Sequence, residues 1–161
     1  MSDAVSRFDN IRPFRDEEVP AVLNRIIADD ELAAVLVRFR LPWLPAWSHG
    51  LLAPLVRAVL RAKTKSVRDV RGFQTIVESY MQHMVSSTTT ALTVSGLEKL
   101  DKRQAYVFVS NHRDIAMDPA FMNWVLWHNG MDTVRIAIGD NLLSKPFVSD
   151  LMRLNKSFLV Q

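Results

Sequence analysis

The sequence VFVSNHRDIAMDP occupies residues 107–119 and decides the fold. The apolar run from Tyr106 to Val109 is β-branched and aromatic, which predicts a strand buried on both faces. A polar turn follows, and Asp118-Pro119 then opens an apolar run of helical length, with Asp118 expected as the N-cap. In open α/β sheets, ligands bind at the carboxyl ends of the strands. His112 is therefore expected at a position where a ligand would sit.

The residues around this stretch continue the alternation of strands and helices. Period-two character predicts a strand over Thr88–Val94, and the helix after the turn should end at Asn129-Gly130. A strand at Thr133–Ile138, a helix from Ser144-Lys145-Pro146 and a strand at Ser157–Gln161 are expected next. The pattern predicts an α/β fold with a mixed, largely parallel sheet. Because the chain ends on an apolar strand without a covering element, the sheet is expected to be truncated.

The amino-terminal half reads as helical. Apolar residues recur at helical spacing after Asp16-Glu17-Glu18, after Asp29-Asp30-Glu31, over Leu51–Ala62 and from Ser66 to about Val85. Near residue 87 the composition shifts to a Ser/Thr-rich, β-branched stretch. We therefore expect a helical region over residues 1–86 and the first part of an α/β domain over residues 87–161.

Composition limits the classes of function. The 161 residues are 48% apolar, so the chain is long enough to bury a core, and they include no cysteine, which excludes disulfides and thiolate metal sites. The net charge of +3 is mild and no basic block is present, so nucleic acid is not an expected partner. An anionic membrane surface or a phosphorylated substrate suits this charge better. Neither a signal peptide nor a membrane-spanning segment is expected.

A tryptophan-rich connector precedes one of these helices. Residues 41–50 hold two prolines together with Trp43 and Trp47, and Arg57 and Arg61 follow four apart on one helical face. One interpretation is a core helix with a solvated basic edge. The other is an interfacial anchor, in which the tryptophans and both arginines contact the membrane while apolar side chains enter the acyl boundary. The sequence is compatible with both interpretations.

The polar turn has the residues of an acid–base site. A neutral histidine whose far nitrogen faces a carboxylate is a general base, and both Asp118 and Asp114 could orient His112. Arg113 could hold a phosphate. No Gly-x-Ser-x-Gly elbow and no cysteine is present, so direct attack by an activated hydroxyl is simpler than a covalent intermediate. The alternatives are a purely structural turn and a metal site, and we expect no metal because one imidazole and two carboxylates need further ligands.

Ser110-Asn111-His112-Arg113 leading to Asp118, after the segment Thr-Val-Ser-Gly-Leu-Glu-Lys-Leu, resembles the first block of the glycerolipid acyltransferase superfamily. That superfamily includes glycerol-3-phosphate and 1-acylglycerol-3-phosphate acyltransferases. The likeness covers residues 88–161, where Asn155-Lys156-Ser157-Phe158-Leu159-Val160 is similar to the start of the second block. The acid at Asp118 comes one residue later than in most members, which is why Asp114 stays a second candidate partner for His112.

The resemblance implies an enzyme of phospholipid biosynthesis. It would transfer a fatty acyl group from acyl-CoA or acyl carrier protein, as co-substrate and without a further cofactor, to glycerol-3-phosphate or a lysophospholipid. His112 would be the general base and Asp118 its orienting acid, while Asn111, Arg113 and Asp114 would bind substrate. The expected location is cytoplasmic, peripheral on the inner face of the membrane.

The resemblance also implies parts that this sequence lacks. The superfamily's Glu-Gly block and the arginine of its second block have no counterpart among the 161 residues. The isolated chain is therefore expected to be inactive or nearly so. The alternative functions are a non-catalytic membrane-binding or interaction module and an inactive truncated acyltransferase.

Overall fold

The computed structural model describes residues 8–45, 48–111 and 113–160, apart from the side chains of His49 and Leu142. The chain divides into two compact units. The first unit comprises Met1–Gln74 with Arg135–Gln161, and the second comprises Thr75–Val134. The predicted domain boundary near residue 87 falls at the carboxyl end of a helix that ends at Thr88, and the assignment of residues 1–86 and 87–161 to separate domains stays a prediction.

Helices dominate the first unit. After a 3-10 turn at Asp16–Glu18, its helices are α1 (Val19–Ala28), α2 (Asp30–Arg40) and α3 (His49–Thr64), followed by the first residues of α4 (Val70–Thr88). The spacing of apolar residues accounts for α1, because it places them on one face, and that face is buried. Pro20 lies in the first turn, where proline is tolerated. The carboxylate of Asp29 caps α2 by accepting a hydrogen bond from the backbone N–H of Leu32, at 2.9 Å. The predicted helices of this region are confirmed.

The core of the first unit lies where α1 packs against α3 and against the later helix α6 (Pro146–Leu154), and α2 packs against α3. Most of its buried side chains are apolar, and they come from every one of these helices: Val19, Val22, Ile26, Ala33, Val37, Ala53, Phe147 and Leu154. Complete burial of a Val, Leu or Phe side chain contributes roughly 1.5–3 kcal/mol each. This burial holds the helices together around α1.

The sheet of the first unit is small and parallel. Strands β1 (Ala137–Gly139) and β2 (Phe158–Val160) pair with Ala137 opposite Phe158 and Gly139 opposite Val160. Because α6 connects them, the order strand, helix, strand forms the expected parallel crossover. The α/β fold class is confirmed, although β1 is shorter than the predicted strand Thr133–Ile138.

The segment before α1 is attached to this crossover. The backbone N–H of Leu159 in β2 donates to the carbonyl of Ile11 at 2.9 Å, and the N–H of Phe14 donates to the carbonyl of Arg153 at 3.2 Å. The guanidinium of Arg153 lies 4.1 Å from the ring centroid of Phe14 and donates from Nε to the carbonyl of Arg12 at 2.8 Å. Residues 11–14 therefore lie beside β2 and the end of α6.

The second unit contains the rest of α4, a 3-10 turn at Leu97–Lys99, and helix α5 (Met117–His128). The predicted stop at Asn129-Gly130 is confirmed. Gly130 has a φ of 68°, its N–H donates to the carbonyl of Trp127, and the N–H of Met131 donates to the carbonyl of Leu126. These are the two hydrogen bonds of a Schellman motif, which glycine favours because it has no Cβ.

Two predicted strands are wrong. Residues 89–95 and 105–110 lie in coil, and the side chains of Val107 and Val109 are 91% and 92% exposed, not buried on both faces. A strand is stable only when its backbone groups pair with a neighbouring strand. Among the described residues, β1 and β2 pair only with each other, so β-branched sequence alone does not order these segments. In the described parts of the chain, no helix is long and apolar enough to cross a bilayer.

Candidate functional site

The polar turn leads directly into α5, whose N-cap is Ala116, and Asp114 binds the backbone amides at the start of that helix. One oxygen of Asp114, Oδ1, accepts hydrogen bonds from the backbone N–H groups of Ala116 and Met117, both at 2.8 Å. The helix begins at Met117, one residue before Asp118. The expectation that Asp118 is the N-cap is therefore wrong, because Asp114 satisfies the free amides at this helix end.

Asp118, in the first turn of α5, instead binds the backbone of the polar turn that precedes the helix. Its Oδ2 accepts from the backbone N–H of Arg113 at 2.6 Å and from that of Asp114 at 3.1 Å. A carboxylate in the first helical turn is also favoured by the helix dipole. The residue that directly follows His112 is thus held by the Asp118 carboxylate.

His112 itself lies outside the described residues, and so does its relation to both acids. Its neighbours Asn111 and Arg113 are described, and their side chains are exposed, as is that of Asp114. The turn is therefore open to solvent on both sides of position 112. The roles of Asn111, Arg113, Asp114 and Asp118 toward a substrate stay predictions.

The chemistry available at this turn is that of general acid–base and anion-binding groups. Arg113 has a guanidinium, whose forked N–H groups suit a phosphate. Asp118 has a carboxylate, which accepts a hydrogen bond from the backbone N–H of Arg113. Among the described residues, no three histidine or acidic side chains are arranged to hold a metal ion.

The predicted membrane-contact residues lie in the first unit, whereas the turn lies in the second. Trp43 is 73% exposed, and Trp47 lies outside the described residues. The guanidinium of Arg57 donates to the carbonyl of Ala28 at 3.3 Å and pairs with Asp30, so it ties α3 to α2. The side chain of Arg61 is exposed.

The apolar band of α3 is divided in two. Ala53 is buried and Leu52, Val56 and Leu60 are half-buried, whereas Leu51, Leu55 and Val59 are 73%, 63% and 47% exposed. These last three residues are spaced four apart and so share one side of the helix. We call them the exposed apolar stripe of α3. The sequence did not separate this stripe from the core face, because all seven residues are apolar.

Comparison with known families gives a match to part of the chain. A family model described as Acyltransferase matches residues 91–161, a range that holds the polar turn, α5 and both strands. Comparison with curated proteins and with solved structures finds no match for this chain. The family match supports a general acyltransferase function. The match over residues 91–161 is consistent with the glycerolipid acyltransferase superfamily that the motif around His112 resembles.

Proposed function

We propose that this polypeptide takes part in O-acyl transfer from acyl-CoA or acyl carrier protein to a hydroxyl of glycerol-3-phosphate or a lysophospholipid. The family match at residues 91–161 supports the reaction class. The observation that carries the assignment of residues is the pair of hydrogen bonds that Asp118 accepts from the backbone of Arg113 and Asp114, since they fix the backbone directly beside His112.

In the proposed reaction, the acceptor oxygen attacks the carbonyl carbon of the acyl thioester while His112 takes the hydroxyl proton. The new ester C–O bond forms as the C–S bond breaks, and the imidazolium returns the proton to the leaving thiolate. Asp118 orients the imidazole and stabilises its charged form. Arg113 binds the phosphate of the acceptor.

The test of the base is His112→Ala, assayed for acyl-CoA-dependent acylation in a full-length protein that contains these 161 residues. General-base catalysis contributes about 10²–10⁴-fold, so we expect a loss of at least about 100-fold in kcat. His83→Ala is the matched control, because His83 is an exposed histidine of α4 outside the turn. Equal rates in the two variants would remove His112 from the mechanism.

The role of Asp118 is separated by two substitutions. Asp118→Asn keeps a side-chain oxygen that accepts the backbone N–H groups of Arg113 and Asp114, whereas Asp118→Ala removes it. If the negative charge supports the imidazolium, both variants lose activity, and the asparagine variant retains a stable turn. Full activity of Asp118→Asn would reduce Asp118 to a structural residue and leave Asp114 as the partner of His112.

Weak activity is expected from the 161-residue chain alone. The resemblance implies an arginine of the second block and a Glu-Gly block, and the sequence carries neither. Acylation by the isolated chain at the rate of a longer protein would contradict this proposal.

A second proposed property is peripheral contact with the cytoplasmic face of a membrane. It is favoured by the exposed apolar stripe of α3 and by Trp43, since large apolar side chains in water are stabilised at a lipid boundary. We expect Leu51→Ser with Leu55→Ser to lower vesicle binding about tenfold or more, through lost apolar burial. The control pair is Leu92→Ser with Val94→Ser, exposed apolar residues in coil. Undiminished binding of the α3 variant would exclude this contact surface.

A further inference from the structure

A cleft lies between α1 and the carboxyl end of α3, with a volume of about 250 Å³. Its lining includes Leu23 and Val67, both buried, and the polar side chain of Asn24. Arg61, Lys65 and Arg68 also line it. The packing of α1 against α3 therefore creates a concave site whose lining includes three cations.

The three cations of this cleft form no ion pair within the described part of the chain. None of its lining residues is acidic, and Arg61, Lys65 and Arg68 take no part in the ion pairs found there. Arg68 donates from Nη1 to the carbonyls of Lys65, at 2.7 Å, and Val67, at 3.0 Å, which uses one of its guanidinium nitrogens. A guanidinium has five N–H donors. The other nitrogens of Arg68, together with Arg61 and Lys65, suit a phosphate.

The cleft adjoins an apolar surface on the same helix. The exposed apolar stripe ends at Val59, and Arg61 and Lys65 come after it at the carboxyl end of the same helix. Helix α3 thus carries exposed apolar side chains from Leu51 to Val59 and cations at its carboxyl end. At a membrane, apolar side chains enter the acyl boundary while lysine and arginine meet the phosphates of anionic lipids.

We propose that this cleft binds the phosphate group of an anionic membrane lipid through Arg61, Lys65 and Arg68. The proposal rests on the membrane contact proposed above and is independent of acyl transfer. The class of lipid bound at the membrane is thereby specified as anionic. Lys65 and Arg68 are membrane-contact residues that were not predicted from the sequence.

The test measures binding of the 161-residue chain to two kinds of vesicle, phosphatidylcholine alone and phosphatidylcholine mixed with phosphatidylglycerol. Lys65→Ala and Lys63→Ala form a matched pair, since both lysines are exposed and two residues apart, yet only Lys65 lines the cleft. Loss of a general surface attraction costs about fivefold per cation. Loss of a direct charged hydrogen bond costs about tenfold or more. We therefore expect the larger loss for Lys65→Ala and Arg61→Ala, and only with phosphatidylglycerol present.

Equal losses for Lys63→Ala and Lys65→Ala would overturn the cleft while leaving the apolar membrane contact in place. Absence of binding to either vesicle would overturn both. Inorganic phosphate serves as the soluble probe in calorimetric titrations without vesicles. If it binds with the same dependence on Arg61 and Lys65 while anionic vesicles gain nothing from those residues, the ligand is a free phosphate and the lipid assignment fails. Circular dichroism of each variant checks that the helices are retained.

Discussion

Arg12 holds Glu18 through two hydrogen bonds, from Nη1 at 2.7 Å and from Nη2 at 3.0 Å. Chiefly through this contact, the guanidinium lowers the pKa of Glu18 to about 2. A glutamate in the unfolded chain has a pKa of about 4.3. Between about pH 2 and about pH 4.3, the folded chain therefore binds fewer protons than the unfolded chain. The contribution of Glu18 to stability is therefore complete above about pH 5 and is lost as the pH falls toward about 2.

Glu18→Gln should remove this acid-sensitive contribution. We expect the free energy of unfolding to fall by about 1 kcal/mol at neutral pH, the usual scale for a partly exposed ion pair. Below about pH 5, the variant should lose less stability than the unmodified chain. Urea unfolding at several pH values measures both effects. Glu17→Gln is the control, because Glu17 is the exposed neighbour, and an unchanged pH dependence in Glu18→Gln would contradict the assignment.

The two acids of the turn show what sequence decides at this scale. Asp114 and Asp118 both lie near the start of a predicted helix, and the Asp-Pro pair favoured Asp118 as the cap. Ala116 is the N-cap instead, and the carboxylate of Asp114 accepts from the amides of Ala116 and Met117 at the start of α5. Residue type did not show which acid binds the free amides at the start of α5, because that depends on the path of the backbone between Asp114 and Asp118.

Among the elements, α5 and α6 end in the same motif with different residues. Gly130 after α5 has a φ of 68°, and Lys156 after α6 has a φ of 65°. In both, the next residue donates back into the last turn, Met131 to Leu126 and Ser157 to Met152, each at 3.0 Å. A left-handed backbone costs a non-glycine residue roughly 1 kcal/mol. Gly130→Ala should lower the free energy of unfolding by about that amount.

Lys156→Gly should raise the free energy of unfolding, because glycine adopts the left-handed backbone at the end of α6 without the steric cost of a Cβ. We expect a gain of up to about 1 kcal/mol in the free energy of unfolding. Urea denaturation of both variants checks the pair. If Gly130→Ala were neutral and Lys156→Gly destabilising, the left-handed ends would not be the features that set these helix boundaries.

Asp150 joins α6 to α1. It accepts two hydrogen bonds from Arg25, from Nε at 2.7 Å and from Nη2 at 2.8 Å, and it is buried, whereas the side chain of Arg25 is 60% exposed. The hydrogen bonds to Asp150 raise the pKa of Arg25. Asp150→Ala should cost about 2 kcal/mol, because a buried charged hydrogen bond is lost from the helix junction. A double-mutant cycle with Arg25→Ala measures the coupling, and a coupling near zero would contradict it.

For the whole molecule, the segment at residues 105–110 matters for solubility. Val107 and Val109 are almost fully exposed in coil, and an exposed β-branched segment promotes association between chains. Val107→Thr with Val109→Thr should reduce self-association at high concentration and change the free energy of unfolding by less than about 0.5 kcal/mol. Sedimentation and urea unfolding measure the two quantities. A larger loss of stability would mean that these side chains are buried.

Sequence predicted the helices well and the sheet only in part. The boundaries near Val19 and Pro146 follow from apolar spacing and proline, which act within a few residues. Tyr106–Val109 failed because a strand depends on a partner that local sequence does not supply. The cleft was not predicted either, since Leu23 and Lys65 meet only through the packing of α1 on α3. Properties set by neighbours in the chain were predictable, and those set by packing were not.

The attachment of residues 11–14 beside β2 has a consequence for how the protein is handled. With Ile11 bound to Leu159 and Phe14 held by Arg153, this short stretch shields one border of a two-stranded ribbon. Proteolytic cleavage after Arg15 would leave that edge of β2 free to pair with another extended peptide. Affinity tags and protease sites are therefore safest when placed ahead of Phe8, where cleavage spares the shield.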